Sequence, residues 1–142
     1  MWMWCKYAFI MILCLLSSCS PQLAHHEYST LKITGIIEHG KQEARKLGFP
    51  TANVRLEKDI HILPGIYSCK AEIFANTYTA MCYVDPCNPE ILEVHLFNFK
   101  GDLYNQILGV YLTNFIRMPI AFEDMNTLKL QIKKDADICL NL

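Results

Sequence analysis

Apolar and polar residues alternate with a period of two through most of this chain, and Gly, Pro, Asn and Asp interrupt the alternation at short intervals. Six segments carry the pattern: Leu31–Glu38, Ala52–Leu56, Ile66–Phe74, Thr77–Val84, Ile91–Phe99 and Gln106–Ile116. A period of two sends successive side chains to opposite faces, so each segment reads as a β-strand with one dry face. Short strands at this spacing predict a mainly β antiparallel barrel. From Asp124 to Leu140 the period becomes helical. Met125, Leu128, Ile132 and Cys139 fall along one stripe, Lys129, Lys133 and Lys134 lie on the wetter side, and Asp124 stands where it can cap the first turn. The stripe predicts a C-terminal helix that closes one side of the barrel.

The two central strands predict a hairpin. A two-residue turn at Ala75-Asn76 pairs Phe74 with Thr77 and therefore Cys69 with Cys82, both on the face that carries Ala71, Ile73, Tyr78 and Ala80. Such a pair allows either a cross-strand disulfide or two buried thiols acting as small hydrophobes. No Cys-x-x-Cys or Cys/His knuckle spacing points to zinc.

The first residues are a different object. After Lys6 the apolar run Tyr7-Ala8-Phe9-Ile10-Met11-Ile12-Leu13-Cys14-Leu15-Leu16 is too short for the roughly 20 residues of a membrane span and ends in Ser17-Ser18-Cys19. That is the layout of a signal peptide, and Leu16-Ser17-Ser18-Cys19 resembles a bacterial lipobox in which Cys19 is the lipidated residue. The expected organisation is a signal segment over residues 1–19, a polar tether over 20–30 with solvated His25-His26, and one domain over 31–142. The expected location is a membrane-anchored envelope lipoprotein, with the membrane met only through lipid on Cys19; without processing the chain is cytoplasmic. Removal of residues 1–18 leaves Cys19, Cys69, Cys82, Cys87 and Cys139, and an even remainder beyond Cys19 is compatible with disulfides in an oxidising compartment.

Composition narrows the choice of function. A chain of 142 residues with 52% hydrophobic positions has enough apolar mass for one core. A formal charge of −1 supplies no polycationic face for counterion release, so nucleic acid is not an expected partner.

Candidate chemistry sits in Gly48-Phe49-Pro50-Thr51-Ala52-Asn53 and in Leu92-Glu93-Val94-His95-Leu96. Pro50 fixes its own φ and pushes Phe49 towards extended geometry, while Gly48 allows conformations that a side chain forbids, so the turn is stiff. Thr51 and Asn53 then point the same way and offer the hard oxygen ligands that Mg2+ accepts beside nucleotide phosphates. Glu93 shares a strand face with His95 and Phe97 and is placed to take a proton from an attacking hydroxyl. On that face His95 is expected in an ordinary cross-strand polar pair. The combination suggests phosphoryl transfer.

These stretches lie in an order that resembles the riboflavin kinase (flavokinase) family from about Leu31 to the C-terminus. The matching residues are Gly35-Ile36-Ile37-Glu38-His39-Gly40, Arg45-Lys46-Leu47-Gly48-Phe49-Pro50-Thr51-Ala52-Asn53, Pro64-Gly65-Ile66-Tyr67, Leu92-Glu93-Val94-His95-Leu96-Phe97-Asn98-Phe99 and Gly101-Asp102-Leu103-Tyr104. Ile116-Arg117 with Phe122, and Gln131-Ile132 with Asp135, continue the series. The resemblance implies a six-stranded antiparallel Greek-key-like barrel with a C-terminal helix. It also implies transfer of the ATP γ-phosphate to the 5′-hydroxyl of riboflavin, giving FMN and ADP, with Mg2+, or Zn2+ or Mn2+ in its place. By the same resemblance Gly40, Arg45, Gly48, Pro50, Thr51 and Asn53 hold the nucleotide, Thr51 and Asn53 ligate the metal, and Glu93 is the general base. Tyr104, Arg117 and Phe122 then contact the flavin, with Arg117 in a flap segment, and the protein is expected to be a monomer.

Several positions depart from the family pattern. Gln42, Glu43 and Ala44 replace a glycine-rich basic stretch, Asn105 stands where glycine often follows the tyrosine, and Pro119 and Ala121 replace charged residues. Asp85-Pro86-Cys87-Asn88-Pro89 replaces a segment that usually reads Asn-Ile-Gly and then Pro-Thr. The alternative expectation is therefore a catalytically degenerate, envelope-anchored protein that binds flavin or another planar ligand. Phe97, Phe99, Tyr104 and Phe115 either line an isoalloxazine slot or serve as core aromatics.

Overall fold

The structure, a computed structural model, describes residues 32–40, 43–57 and 60–142. The signal segment with Cys19, the tether with His25-His26, and Gln42 lie outside the described residues.

Six strands form: β1 (Lys32–Glu38), β2 (Ala52–Arg55), β3 (Gly65–Ile73), β4 (Asn76–Val84), β5 (Ile91–Leu96) and β6 (Ile107–Arg117). Two helices accompany them, a single turn α1 (Glu43–Lys46) and the long α2 (Met125–Leu140). Every strand pair is antiparallel, and the sheet closes as β1-β2-β5-β4-β3-β6. Closure leaves no open edge, and the crossovers from β2 to β3 and from β5 to β6 give it a Greek-key character.

Period-two patterning sorts the side chains into two cores. Inside the barrel are Ile33, Ile37, Val54, Tyr67, Val84, Leu92, Val94, Leu108 and Val110, all at most 1% exposed. Tyr67, the largest of them, donates its hydroxyl to the Leu63 carbonyl oxygen at 2.7 Å, which satisfies its one polar atom. A second cluster lies outside the barrel, where α2 packs on β3 and β4 through Ala136, Cys139 and Ile132 against Ile66, Met81, Tyr83 and Phe97. The helix thus covers an outer face, and the barrel is filled by its own strands.

Asp124 caps α2, accepting from the backbone N–H groups of Asn126 and Thr127 at 2.7 and 2.9 Å. The buried stripe differs from the expected one. Met125 is 51% exposed in the first turn, whereas Asp135 is 1% exposed beside Ala136 and Cys139. A carboxylate is tolerated there because Arg117 meets it through Nε at 3.0 and 3.1 Å and Nη2 at 2.6 Å, and Gln131 adds a hydrogen bond at 2.9 Å.

The β3–β4 hairpin corrects the expected register. Its turn is Phe74-Ala75, with φ of 49° and 61°, so Ile73 pairs with Asn76 and Cys69 with Ala80, while Cys82 lies opposite Tyr67. Two residues with positive φ make the turn whose twist matches that of the flanking strands, and Asn76 Nδ2 donates to the Phe74 carbonyl oxygen at 3.0 Å. The shift of two residues preserves the faces. Cys69 and Cys82 therefore still share the barrel interior, as diagonal neighbours, and form a disulfide. Strand β5 stops at Leu96, short of the expected Phe99, because Phe97-Asn98 turns the chain with Asn98 at φ 60°. Asn105, at φ 61°, takes the left-handed conformation that the family's glycine would favour.

Candidate functional site

One row of outward-facing residues runs across the strands. Ile66 pairs with Tyr83, Tyr83 with Glu93, Glu93 with Asn53, and Asn53 with Glu38, so five strands each contribute one side chain to a line perpendicular to their length. Leu92 and Val94 are wholly buried inside the barrel, which forces Glu93 between them to face outward. Ala52 and Val54 do the same for Asn53.

The Gly48–Pro50 turn lies over this row. It closes α1 through hydrogen bonds from the Gly48 and Phe49 N–H groups to the Arg45 and Ala44 carbonyls, at 3.1 and 3.0 Å. Gly48 sits at φ 93°, in the left-handed region where a side chain is strained. Phe49 packs on the outer cluster and meets the His95 ring edge-on with centroids 5.4 Å apart. His95 Nδ1 lies 2.8 Å from the Pro50 carbonyl oxygen, so this nitrogen is the protonated one. Burial pushes the His95 pKa below its ordinary value of 6.5, against the opposing pull of the Pro50 carbonyl. His95 thus pins the turn as a neutral imidazole, replacing the cross-strand role expected for it.

With the turn pinned, Thr51 Oγ1 lies 3.5 Å from Glu93 Oε2. Asn53 flanks Glu93 on the neighbouring strand. Gly40 lies against the Asn53 carboxamide so closely that any Cβ at position 40 would overlap it. The structure therefore gathers Gly40, Pro50, Thr51, Asn53 and Glu93, which are spread over more than fifty positions of sequence. Glu38, the other acidic member of the row, is engaged by Arg55 through two hydrogen bonds of 3.0 Å.

The remaining sequence candidates divide between the two flanks. Tyr104 stacks on His39 with centroids 3.7 Å apart, and Asn105 N–H donates to the Ile37 carbonyl oxygen, so Tyr104 lies on the Gly40 side. Arg117 pairs in register with Ile66, three strands from Glu93 in the other direction, which is roughly 14 Å at the usual strand spacing. Its guanidinium is committed to Asp135 and to the Met118 carbonyl oxygen. Arg45 is exposed on α1, and Phe122 is half-buried before α2. The four aromatics do not line one slot. Phe97 lies under α2, Phe99 meets Tyr78 against the inner core, Phe115 meets Tyr67 beside Gly65, and Tyr104 joins His39.

Two features of the site escaped sequence reading. The His39–Tyr104 stack joins residues far apart in the chain, and Tyr83 becomes a neighbour of Glu93 only through the β4–β5 register. The alternation of β4 marks Tyr83 as outward, but nothing in the sequence says which strand lies beside it.

Thr51 and Asn53 are neutral oxygen donors with one carboxylate beside them, and among the described residues no group of three His, Cys, Asp or Glu is placed to hold a metal. Such a set fits a divalent ion that arrives with phosphate oxygens and does not fit a resident ion held by protein alone. A concavity of about 430 Å³ lies elsewhere, between the β3–β4 turn and residues Lys32, Thr34, Ile107 and Gly109.

Comparison with known proteins agrees with the fold and with the family resemblance. The riboflavin kinase (flavokinase) profile matches residues 28–142. A bifunctional riboflavin kinase/FMN adenylyltransferase of Buchnera aphidicola subsp. Schizaphis graminum is 40% identical over 114 residues, covering 75% of this chain and 36% of the relative. Its counterpart from Haemophilus influenzae is 37% identical over 113 residues, with the same coverage. The chain thus spans about a third of the length of these relatives. Among solved structures, a protein described as a macrolide-efflux protein from Streptococcus pneumoniae superposes with TM-score 0.70 at 30% identity, over 79% of this chain and 39% of that one. Riboflavin kinase from Trypanosoma brucei superposes with TM-score 0.58 at 22% identity, over 78% of this chain and 77% of that one, and shares the fold.

Proposed function

The chain belongs to the riboflavin kinase family, and from that premise we propose that it transfers the γ-phosphate of ATP to the 5′-hydroxyl of riboflavin. The observation that carries this reading is the approach of Thr51, beneath a pinned turn, to Asn53 and Glu93, which adjoin in the outward row. Glu93 accepts the proton of the riboflavin hydroxyl while that oxygen attacks the γ-phosphorus. ADP leaves, FMN forms, and the proton passes from Glu93 to solvent. Thr51 and Asn53 would hold Mg2+ together with the phosphates, and the bound ion supplies charge neutralisation on the transferring group. Gly40 leaves the space in which the Asn53 carboxamide sits, and the Pro50–His95 hydrogen bond keeps Thr51 from drifting. In this reading the His39–Tyr104 stack, on the Gly40 side, flanks the nucleotide, so Tyr104 takes a nucleotide role in place of the flavin contact that the resemblance implies.

In the experiment, the purified protein is incubated with riboflavin and MgATP. FMN forms, and Glu93→Gln lowers kcat by about 100- to 10,000-fold while riboflavin affinity holds. A folded protein without turnover refutes the kinase reading.

One observation favours a second reading, an envelope-exposed flavin binder without catalysis. The Cys69–Cys82 disulfide is of a kind that persists in oxidising compartments, where ATP is scarce. In that case Glu93→Gln changes neither riboflavin binding nor any rate.

A further inference from the structure

The outer face of β1, β6 and β3 lies across the barrel from the Glu93 site. In the closed order β1-β2-β5-β4-β3-β6, β6 stands opposite β5, while α2 packs on β3 and β4 around Ile66 and Met81. Among the described residues this face leaves three large apolar side chains in the open, Ile36, Ile107 and Phe74, at 58%, 65% and 56% exposure. Ile36 and Ile107 are register partners on β1 and β6, and Phe74, at the β3–β4 turn, lines the same concavity as Ile107. A single exposed apolar side chain is ordinary, whereas a group of them at one place marks a contact surface.

Further along the strands the same face turns basic. Lys32 pairs with Tyr111 and Tyr111 with Lys70, which gives a row across β1, β6 and β3. The stem of Lys32 lies across Gly109, where a Cβ would come within 2.7 Å of Lys32 Cε, and its ammonium is held by Glu72 at 2.7 Å. Between the apolar and basic rows is the concavity of about 430 Å³, where Thr34, Thr77 and Asn76 join Lys32 and Glu72. Hydroxyls with an ammonium suit phosphate oxygens, and a carboxylate beside them suits an ammonium or hydroxyl of the same headgroup. The chain also enters the barrel here. Lys32 opens β1, and residues 20–31 join it to Cys19 of the lipobox-like run, a link that reaches about 40 Å at full extension. An anchor on Cys19 would hold the barrel within that distance of a bilayer, attached through the face that carries Lys32.

We propose that this face rests on an anionic phospholipid surface, with Ile36, Ile107 and Phe74 in the interface and a headgroup in the concavity beside Lys32. Three apolar side chains and two lysines orient the barrel, and lipid on Cys19 holds it, a division that matches the need of stable attachment for two signals. The Glu93 site then faces away from the membrane and stays open to solutes, whether or not it transfers phosphate.

The test reconstitutes the full-length chain on vesicles of phosphatidylglycerol and phosphatidylethanolamine and reads the acylation rate of each lysine by mass spectrometry. The comparison is a double variant, Ile36→Thr with Ile107→Thr, which keeps strand propensity and the anchor but loses the apolar reach. Lys32 and Lys70 react about 10-fold more slowly in the wild type than in the variant, while Lys46 on α1 and Lys133 on α2 react alike in both. Vesicles of phosphatidylcholine alone restore most of the reactivity. Circular dichroism and an intact Cys69–Cys82 disulfide verify the variant's fold; Phe74→Asn, which suits the positive φ of the turn, replaces it if the fold is lost. Equal reactivity of Lys32 and Lys70 in vesicle-bound wild type and folded variant overturns the proposal. Protection that follows protein concentration and not anionic lipid also overturns it, and assigns the face to a second copy of the chain.

Discussion

At the scale of single residues, the site is held by groups that do no chemistry. Gly40 is assigned to the nucleotide by resemblance, and in the fold its missing side chain is where the Asn53 carboxamide lies. Gly40→Ala therefore displaces Asn53 and lowers MgADP affinity about 10-fold or more, with riboflavin affinity unchanged; isothermal titration of both ligands checks this. His95 gives a second case. On sequence it was an outward polar residue beside Glu93, and in the fold it is a neutral donor to Pro50. The motif residues Pro50, Thr51, Asn53 and Glu93 were legible because stiffness, hard oxygen ligands and a strand carboxylate are local properties. Their supports were not, because contact across β1, β2, β4 and β5 is a property of register.

At the scale of elements, patterning found all six strands and the long helix, and missed what a turn or a single buried charge decides. The hairpin turn was expected at Ala75-Asn76, between the alternating segments Ile66–Phe74 and Thr77–Val84. The chain instead places Phe74 and Ala75 there, since strand twist sets which pair must turn. Along α2, periodicity marks apolar residues only, so Asp135 was legible as a family match but not as a buried member of the packed face. Its partner Arg117 lies on β6, and the ion pair ties the helix to the end of that strand. Asp135→Ala leaves the Arg117 guanidinium largely buried without its carboxylate and destabilises the protein by about 3 kcal/mol, measurable by urea unfolding. Asp135→Asn, which keeps one acceptor oxygen, loses less.

At the scale of the whole molecule, closure of the barrel brings β1, β2, β5 and β4 side by side and so turns separate motifs into one row. The interior is filled by apolar side chains of the strands, and the candidate site lies on the outer surface beside the Gly48–Pro50 turn. The disulfide spans this architecture as a diagonal tie between β3 and β4, with a sequence separation of 13. Reduction restores chain entropy to the unfolded state, a loss of stability of about 3 kcal/mol. Urea titrations with and without dithiothreitol give this difference, and equal midpoints would show that the thiols are unbonded in the folded protein. Among the described residues no helix is long and apolar enough to cross a membrane.

The sequence by itself determined the β class, the faces of the strands, the helical C-terminus and the identity of the chemical groups. Each follows from periodicity or from local stiffness, and these need no knowledge of neighbours. Only the tertiary structure decided which strands adjoin, which cysteine positions face each other, that Asp135 is buried, and that Tyr83 stands beside Glu93. Those facts depend on register and closure, and a pattern with period two is unchanged when a strand slides by two residues or exchanges one partner for another.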